Sequence, residues 1–466
     1  MREIRMRVCI VLEGSYPYIT GGVSAWVHDL LTGLPDLEFS LFTISPEPDM
    51  PLRYKLPSNV VEHRNFVVSD PHPSTVKVRN PGKILKEIVK LHGRFFSGDV
   101  PDLTALIRSI PEGYNLSKLA LRSREGWAMV VEANQRRNPI YPFTDYFWAW
   151  YSAHALLFRV LAASLPEADV YHAVSTGFAG LATYAAKARR GKPFLLTEHG
   201  LYHKEREMEI RRSPLVKGYQ RDLWISIYNQ ISRLCYRKAD LITALFEENR
   251  QYQIDFGAPE ERTLVLPNGI DIERYSVERQ KKPGFHVGLV GRVVPIKDVK
   301  TFILAAKIVL DEVKDARFYC IGPTDEDPAY YEDCRMLVES LKIADRFEFT
   351  GRKNVLDYYA FLDVVALTSV KEAQPLVILE AYCAGIPVVS TRVGNVPEML
   401  EYDDRFLAYA KDSVKIAKGI LYIHTHPEEI GELVVRNREK VRTYYDKRIL
   451  LERIRGIYRK LGEMQE

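Results

Sequence analysis

The chain has 466 residues, 46% of them hydrophobic and 27% charged, and a formal net charge of +4. That length exceeds one ordinary domain and predicts at least two, each with its own core. So small a net charge excludes nucleic-acid binding or a polybasic membrane anchor as a reading from charge.

Five cysteines, Cys9, Cys235, Cys320, Cys334 and Cys383, are scattered without Cys-x-x-Cys spacing. They read as reduced thiols of a cytoplasmic protein, not as a disulfide frame or a zinc site. The apolar run Met6–Leu12 is short and is stopped by Glu13 and Gly14, so it does not read as a signal peptide. The most lipid-like stretch, 143–165, carries Asp145, His154 and Arg159 and predicts an amphipathic core helix, not a membrane span.

In chain order, Arg7–Leu12 predicts a first parallel strand, 13–22 a loop and Val23–Leu31 a helix. Gly21 and Gly22 open that helix and would let backbone N–H groups approach a phosphate or sugar. Gly-x-Gly-x-x-Gly is absent, so the dinucleotide fingerprint is not met. Strands follow at 38–44 and 60–61. From about 70 to 151 the pattern turns helical, with Ile84, Ile88, Leu91 and Phe95 at helical spacing, then Leu116, Leu119 and Leu121, punctuated by Pro81, Pro101, Pro111, Pro139 and Pro142. This predicts a helical insertion. Strands resume at 169–174 and 193–197, with a helix at 177–189 between them. His199 follows the second, at the strand end where open α/β sheets place ligands. A long helix at 219–237 and strands at 240–245 and 263–266 lead to Pro267-Asn268-Gly269-Ile270-Asp271, which is turn chemistry.

The polar stretch 276–284 reads as an interdomain linker. A second strand–helix series then begins, with strands at 286–290, 317–321, 347–349, 364–367 and 388–390 and helices at 301–313 and 331–341. The expected fold class is α/β: two doubly wound domains, about 1–280 and 281–446, with a crevice between them, followed by a final helix at about 447–466.

The chemistry concentrates in the second domain. Arg292 and Lys297 follow a strand, where a guanidinium and an ammonium suit a diphosphate. Glu372 lies on the loop after the strand 364–367, and Glu380 lies inside the next helix, which starts near Pro375 and ends at Gly385. The first helical amides, those of Leu376 and Val377, form a phosphate site. Two carboxylates flanking it are placed to accept hydroxyls on either side, the layout of a ribose, a diphosphate and a sugar. Asp325-Glu326-Asp327 superficially suggests Asp-x-Asp metal binding, but beside Pro323 and Pro328 it predicts a turn and a helix cap.

The Glu-x7-Glu spacing of Glu372 and Glu380, within Glu-Ala-Gln-Pro-Leu-Val-Ile-Leu-Glu-Ala and followed by Gly-Ile-Pro-Val-Val, resembles the retaining glycosyltransferase family 4. The opening Val-Cys-Ile-Val-Leu-Glu-Gly-Ser-Tyr-Pro-Tyr-Ile-Thr-Gly-Gly-Val-Ser-Ala-Trp-Val, the string Thr-Glu-His-Gly-Leu-Tyr-His-Lys-Glu-Arg from Thr197 and the insertion together resemble the PelF-type enzymes of bacterial Pel exopolysaccharide synthesis. The resemblance runs over essentially the whole chain. It implies a GT-B fold in which the final helix, about 447–466, crosses back to the first domain, a UDP-sugar donor, a polysaccharide acceptor and an inner-membrane Pel synthase complex as partner. It also implies a diphosphate clamp at Arg292 and Lys297, ribose binding by Glu380, contact with the donor sugar by Glu372 and His199, and a Gly21-Gly22 loop closing over the diphosphate. No cofactor and no metal are expected, and the nucleotide site includes Gln374. Gln374-Pro375 replaces a Gly-containing pair common in the wider family, so sugar selectivity does not carry over from distant members. The expected reaction is hexosyl transfer with retention. The alternatives are a sugar-nucleotide epimerase and a non-catalytic nucleotide-binding scaffold.

Overall fold

The structure, a computed structural model, describes residues 5–69, 75–96, 99–136, 142–216 and 218–464. The expectations at Asp70 and Pro139 and for the Phe95 side chain lie outside the described residues and side chains. The chain divides into two compact units, Met1–Leu266 with Leu451–Glu466, and Pro267–Leu450.

Unit 1 is built on seven strands: β1 (Arg7–Glu13), β2 (Glu38–Ser45), β3 (Val60–Val67), β4 (Val170–Ala173), β5 (Phe194–Glu198), β6 (Leu241–Ala244) and β7 (Thr263–Val265). All pair in parallel, in the order β3-β2-β1-β4-β5-β6-β7. Central parallel strands are covered on both faces, which is why Val8 to Leu12 run apolar without alternation and are at most 1% exposed. The order reverses at β1, between β2 and β4, so the loops that leave β1 and β4 diverge there.

The insertion between β3 and β4 carries helices Pro81–Phe96, Thr104–Ser109, Leu116–Leu121, Arg124–Arg136 and Phe143–Leu161. Ile84, Ile88 and Leu91 line one face of the first and are buried, as an apolar stripe at this spacing requires. On Phe143–Leu161 the buried face holds Tyr146, Trp150, His154 and Leu157, while Trp148 on the other side is exposed. His154 stacks on Trp150 at 3.9 Å, and burial pushes its imidazole well below the usual range. Arg159 turns its guanidinium onto the carbonyls of Val67 and Val68, which fastens the helix to the end of β3. The Arg159 guanidinium of this stretch is thus spent inside the fold. Among the described residues no helix is long and apolar enough to cross a membrane.

Unit 2 has six parallel strands: β8 (Phe285–Val290), β9 (Ala316–Ile321), β10 (Phe347–Gly351), β11 (Val364–Leu367), β12 (Val388–Thr391) and β13 (Leu407–Ala408), in the order β10-β9-β8-β11-β12-β13. The polar stretch 276–284 is fastened to this unit. Arg279 donates to the carbonyls of Tyr359 and Leu362 at 2.6 and 2.5 Å, and the Gln280 amide donates to Ala360 at 2.7 Å. The division between the units falls earlier, at the Pro267-Asn268-Gly269 turn. Gly269 is needed there because a Cβ would stand 2.7 Å from Lys447 Cα. The last helix, Lys447–Glu463, belongs to unit 1 from Leu451 onward, where the Tyr458 hydroxyl meets His172 Nδ1 at 2.7 Å. All five cysteines are buried free thiols.

Candidate functional site

In unit 2 the strand order reverses at β8, between β9 and β11, and the sequence-predicted residues gather on the loops leaving β8 and β11. The β8 loop passes Gly291 and Arg292, makes a short turn at Pro295–Lys297, and enters the helix Val299–Glu312 through Asp298 at φ 47°. The β11 loop is sewn to it. Val370 N donates to Ile296 O at 2.9 Å, and the Thr368 hydroxyl donates to the carbonyls of Lys297 and Asp298, each at 3.0 Å. Behind it, Thr391 Oγ1 donates to Ser369 O at 2.6 Å and Asn395 N to Ala373 O at 2.8 Å. Gly394, at φ 49°, passes so close that a Cβ would lie 2.4 Å from Glu372 O. Glu372 therefore sits on a loop held from two sides.

Its carboxylate receives the Lys297 ammonium at 2.5 Å, with both side chains 18% exposed. A pair so shielded is screened far less than a surface ion pair. Beside it begins the helix Leu376–Ala384, preceded by Pro375 and closed by Gly385 at φ 72°. The amides of Leu376 and Val377 lie in its first turn, where no intrahelical acceptor exists, so they and the helix dipole favour an anion. One turn further, Glu380 Oε2 accepts the Tyr359 hydroxyl at 2.8 Å. Burial pushes the Glu380 carboxyl above the usual carboxylate range, and hydrogen bonds from Tyr359 and Tyr275 oppose that shift.

Two predicted residues point elsewhere. Arg292 pairs with Glu326. Gln374, 7% exposed, accepts the Asn268 amide on its Oε1 at 2.7 Å, so it braces the Pro267-Asn268-Gly269 turn. The triple 325–327 acts as a cap through Asp327, which accepts Tyr330 N at 3.0 Å before the helix Pro328–Ser340. Its other two carboxylates meet arginines, Glu326 with Arg292 and Asp325 with Arg352. Among the described residues no three His, Cys, Asp or Glu side chains converge as a metal ion would require.

In unit 1, Gly21 precedes the helix Gly22–Gly33, and both glycines face open space. Trp26 of that helix stands edge-on to His199, ring centroids 4.6 Å apart, so the glycine turn and His199 share one neighbourhood. Behind His199, His172 Nε2 bonds to Thr197 Oγ1 at 2.8 Å, and burial pushes its imidazole down to about 3. Buried Glu198 receives the Tyr236 hydroxyl at 2.5 Å and Gln253 Nε2 at 2.9 Å, and burial pushes its carboxyl up to about 7. Glu13 takes the Tyr202 hydroxyl at 2.5 Å and Phe178 N at 2.8 Å. Sequence reading missed this carboxylate–tyrosine frame, as it missed Tyr275 and Tyr359, and it read Glu326 only as part of a turn and cap, without its partner Arg292. The available signal for the frame was a single acid closing each of two apolar strands, Glu13 on β1 and Glu198 on β5.

Comparison with known proteins bears on the family and the fold. Residues 6–261 match the family described as Domain of unknown function (DUF3492), and residues 284–426 match Glycosyl transferases group 1. The chain is 26% identical over 244 residues to N-acetyl-alpha-D-glucosaminyl L-malate synthase of Bacillus anthracis, a span of 49% of this chain and 62% of that one. The chain spans roughly half to three-fifths of the length of the curated relatives it matches. Anabaena Alr3699/HepE, solved in complex with UDP, superposes with a TM-score of 0.61 at 16% identity over 98% of this chain and 100% of that one. Sucrose-phosphate synthase from Thermosynechococcus elongatus gives 0.61 at 15% identity over 99% and 100%. These likenesses show the fold, two Rossmann-like parallel units of GT-B type. The chain belongs to the family described as Domain of unknown function (DUF3492), and residues 284–426 of its second unit match the model described as Glycosyl transferases group 1.

Proposed function

We propose that this chain is a retaining, metal-independent hexosyltransferase that moves a hexose from a UDP-sugar to a growing exopolysaccharide. The observation that carries the reading is the Lys297–Glu372 pair beside the N-terminus of the helix Leu376–Ala384, at the reversal of strand order in unit 2. Lys297, Arg292 and the amides of Leu376 and Val377 are the groups for a diphosphate. As the glycosidic bond breaks, negative charge grows on that leaving group. Lys297 and the helix amides, already fixed in place, stabilise it without reorganising, the contribution that usually dominates such sites. Glu372, held in place by Lys297, takes hydroxyls of the sugar. Glu380, with Tyr275 and Tyr359 on its carboxylate, takes the ribose. The reading assigns further substrate contacts in unit 1 to Gly21, Gly22 and His199.

With no separate nucleophile assigned, retention follows if the acceptor attacks the face the diphosphate leaves and a diphosphate oxygen takes its proton. The complex of Alr3699/HepE with UDP supports a uridine nucleotide, since that protein shares this fold. The resemblance to PelF-type enzymes supports the exopolysaccharide product and a membrane synthase partner. Binding and hydrolysis by the purified protein against UDP-, GDP- and ADP-sugars tests the proposal. A UDP-sugar should bind and be slowly hydrolysed. Binding confined to another nucleotide, or conversion of the sugar-nucleotide to its epimer without release, would overturn it.

A further inference from the structure

From the contacts of Arg292 we infer that Glu326 is an internal stand-in for the donor diphosphate: it holds Arg292 in the free protein and is exchanged for phosphate on binding, so it sets how tightly the nucleotide is kept. This inference rests on the reading of Arg292 as a diphosphate group.

The geometry of three neighbouring loops carries it. Strands β8, β9 and β10 lie side by side, and a glycine of positive φ follows or closes each: Gly291 after β8, Gly322 after β9 and Gly351 at the end of β10. Gly291 N bonds to Ile321 O at 2.9 Å, Val293 N to Pro323 O at 2.9 Å and Gly322 N to Gly351 O at 3.2 Å. A side chain at Gly322 is excluded, since its Cβ would lie 2.1 Å from Gly291 O. The loop 323–327 is therefore short and pinned at both ends, to Val293 at one and by the Asp327 cap at the other. Between the pins Glu326 has its carboxylate on Arg292, and Asp325 faces Arg352 at 3.5 Å.

The two cations of the site are thus held differently. Lys297 and Glu372 are each 18% exposed, whereas Arg292 and Glu326 are 52% and 47% exposed. An exposed pair is weak and salt-screened, so a diphosphate carrying more charge on several oxygens displaces it. A carboxylate that must be displaced lowers nucleotide affinity, and this speeds release of the product.

The test is a double-mutant cycle on UDP affinity by calorimetry, with pyrophosphate and uridine as companion ligands. Glu326→Gln should tighten UDP and pyrophosphate by about two- to fivefold, the range an exposed ion pair supports, and leave uridine unchanged. It should also steepen the loss of UDP affinity with added salt, because the site gains one net positive charge. Arg292→Ala should weaken UDP, and Glu326→Gln added to it should give no gain. Glu312→Gln, at the far end of the helix Val299–Glu312, controls for net charge. An effect of Glu326→Gln equal to that of Glu312→Gln, or a gain that persists without Arg292, would overturn the inference while leaving the diphosphate reading intact. No loss of UDP affinity in Arg292→Ala would overturn that reading instead.

Discussion

Replacing Glu372 by Gln separates binding from transfer. The carboxylate lies 2.5 Å from Lys297, and the pair is neither surface nor fully buried at 18% exposure on each side. Exposed pairs contribute about 0.2–1 kcal/mol and breaking a fully buried pair costs about 3–5. Glu372→Gln should therefore cost about 1–2 kcal/mol. For a unit of this size that lowers the thermal transition by about 2–8 °C, which leaves the protein folded at assay temperature. The released ammonium stays at the helix N-terminus, so UDP affinity should hold or rise. The lost contact to the sugar should cut transfer or donor hydrolysis by at least roughly tenfold, about 1.4 kcal/mol of barrier. Calorimetry with UDP and a single-turnover assay with UDP-sugar measure the two quantities on one preparation. A fall in UDP affinity matching the fall in turnover would refute the assignment of Glu372 to the sugar side.

Turnover should survive excess EDTA if Arg292 and Lys297 carry the leaving-group charge; abolition by chelator with recovery on manganese would reopen a metal role for Asp325 and Asp327. Gly394→Ala should destabilise the protein by about 1–3 kcal/mol, because alanine is strained at φ 49° and its Cβ would meet Glu372 O at 2.4 Å. Turnover should fall more than UDP affinity, and unchanged melting would show that the close approach is not required. Buried Glu198, pushed up to about 7, binds its proton more tightly folded than unfolded. Its stabilising contribution is therefore full below the unfolded value near 4.5 and is lost as pH rises toward 7, on the order of 3 kcal/mol. Melting followed from pH 4.5 to 8 should show this decline in the wild type and a smaller one in Glu198→Gln; parallel profiles would contradict it. Tyr359→Phe removes the hydroxyl on Glu380 at 2.8 Å, which should raise the carboxyl further and weaken UDP more than pyrophosphate; equal effects on both ligands would argue against a ribose role.

What near neighbours along the chain dictate was legible in the sequence itself. Apolar runs such as Val8–Leu12 and Val364–Leu367 form buried parallel strands, since burial on both faces leaves no place for alternation. Pro375 and Gly385 bracket a helix, because one lacks an amide the helix does not need there and the other accepts positive φ. Glu372 on a loop and Glu380 one helix later follow from the same local rules. The tertiary structure decided what distant residues do to one another. Lys297 meets Glu372, and Arg292 meets Glu326, only because β8 lies between β9 and β11. Tyr275 and Tyr359 reach Glu380 from separate elements, and Gln374 turns to the Asn268 amide. The polar stretch 276–284 shows the reason most plainly. Composition makes it a linker, but Arg279 and Gln280 find carbonyls on the turn 359–362, and a hydrogen-bond partner that far along the chain leaves no trace in local sequence.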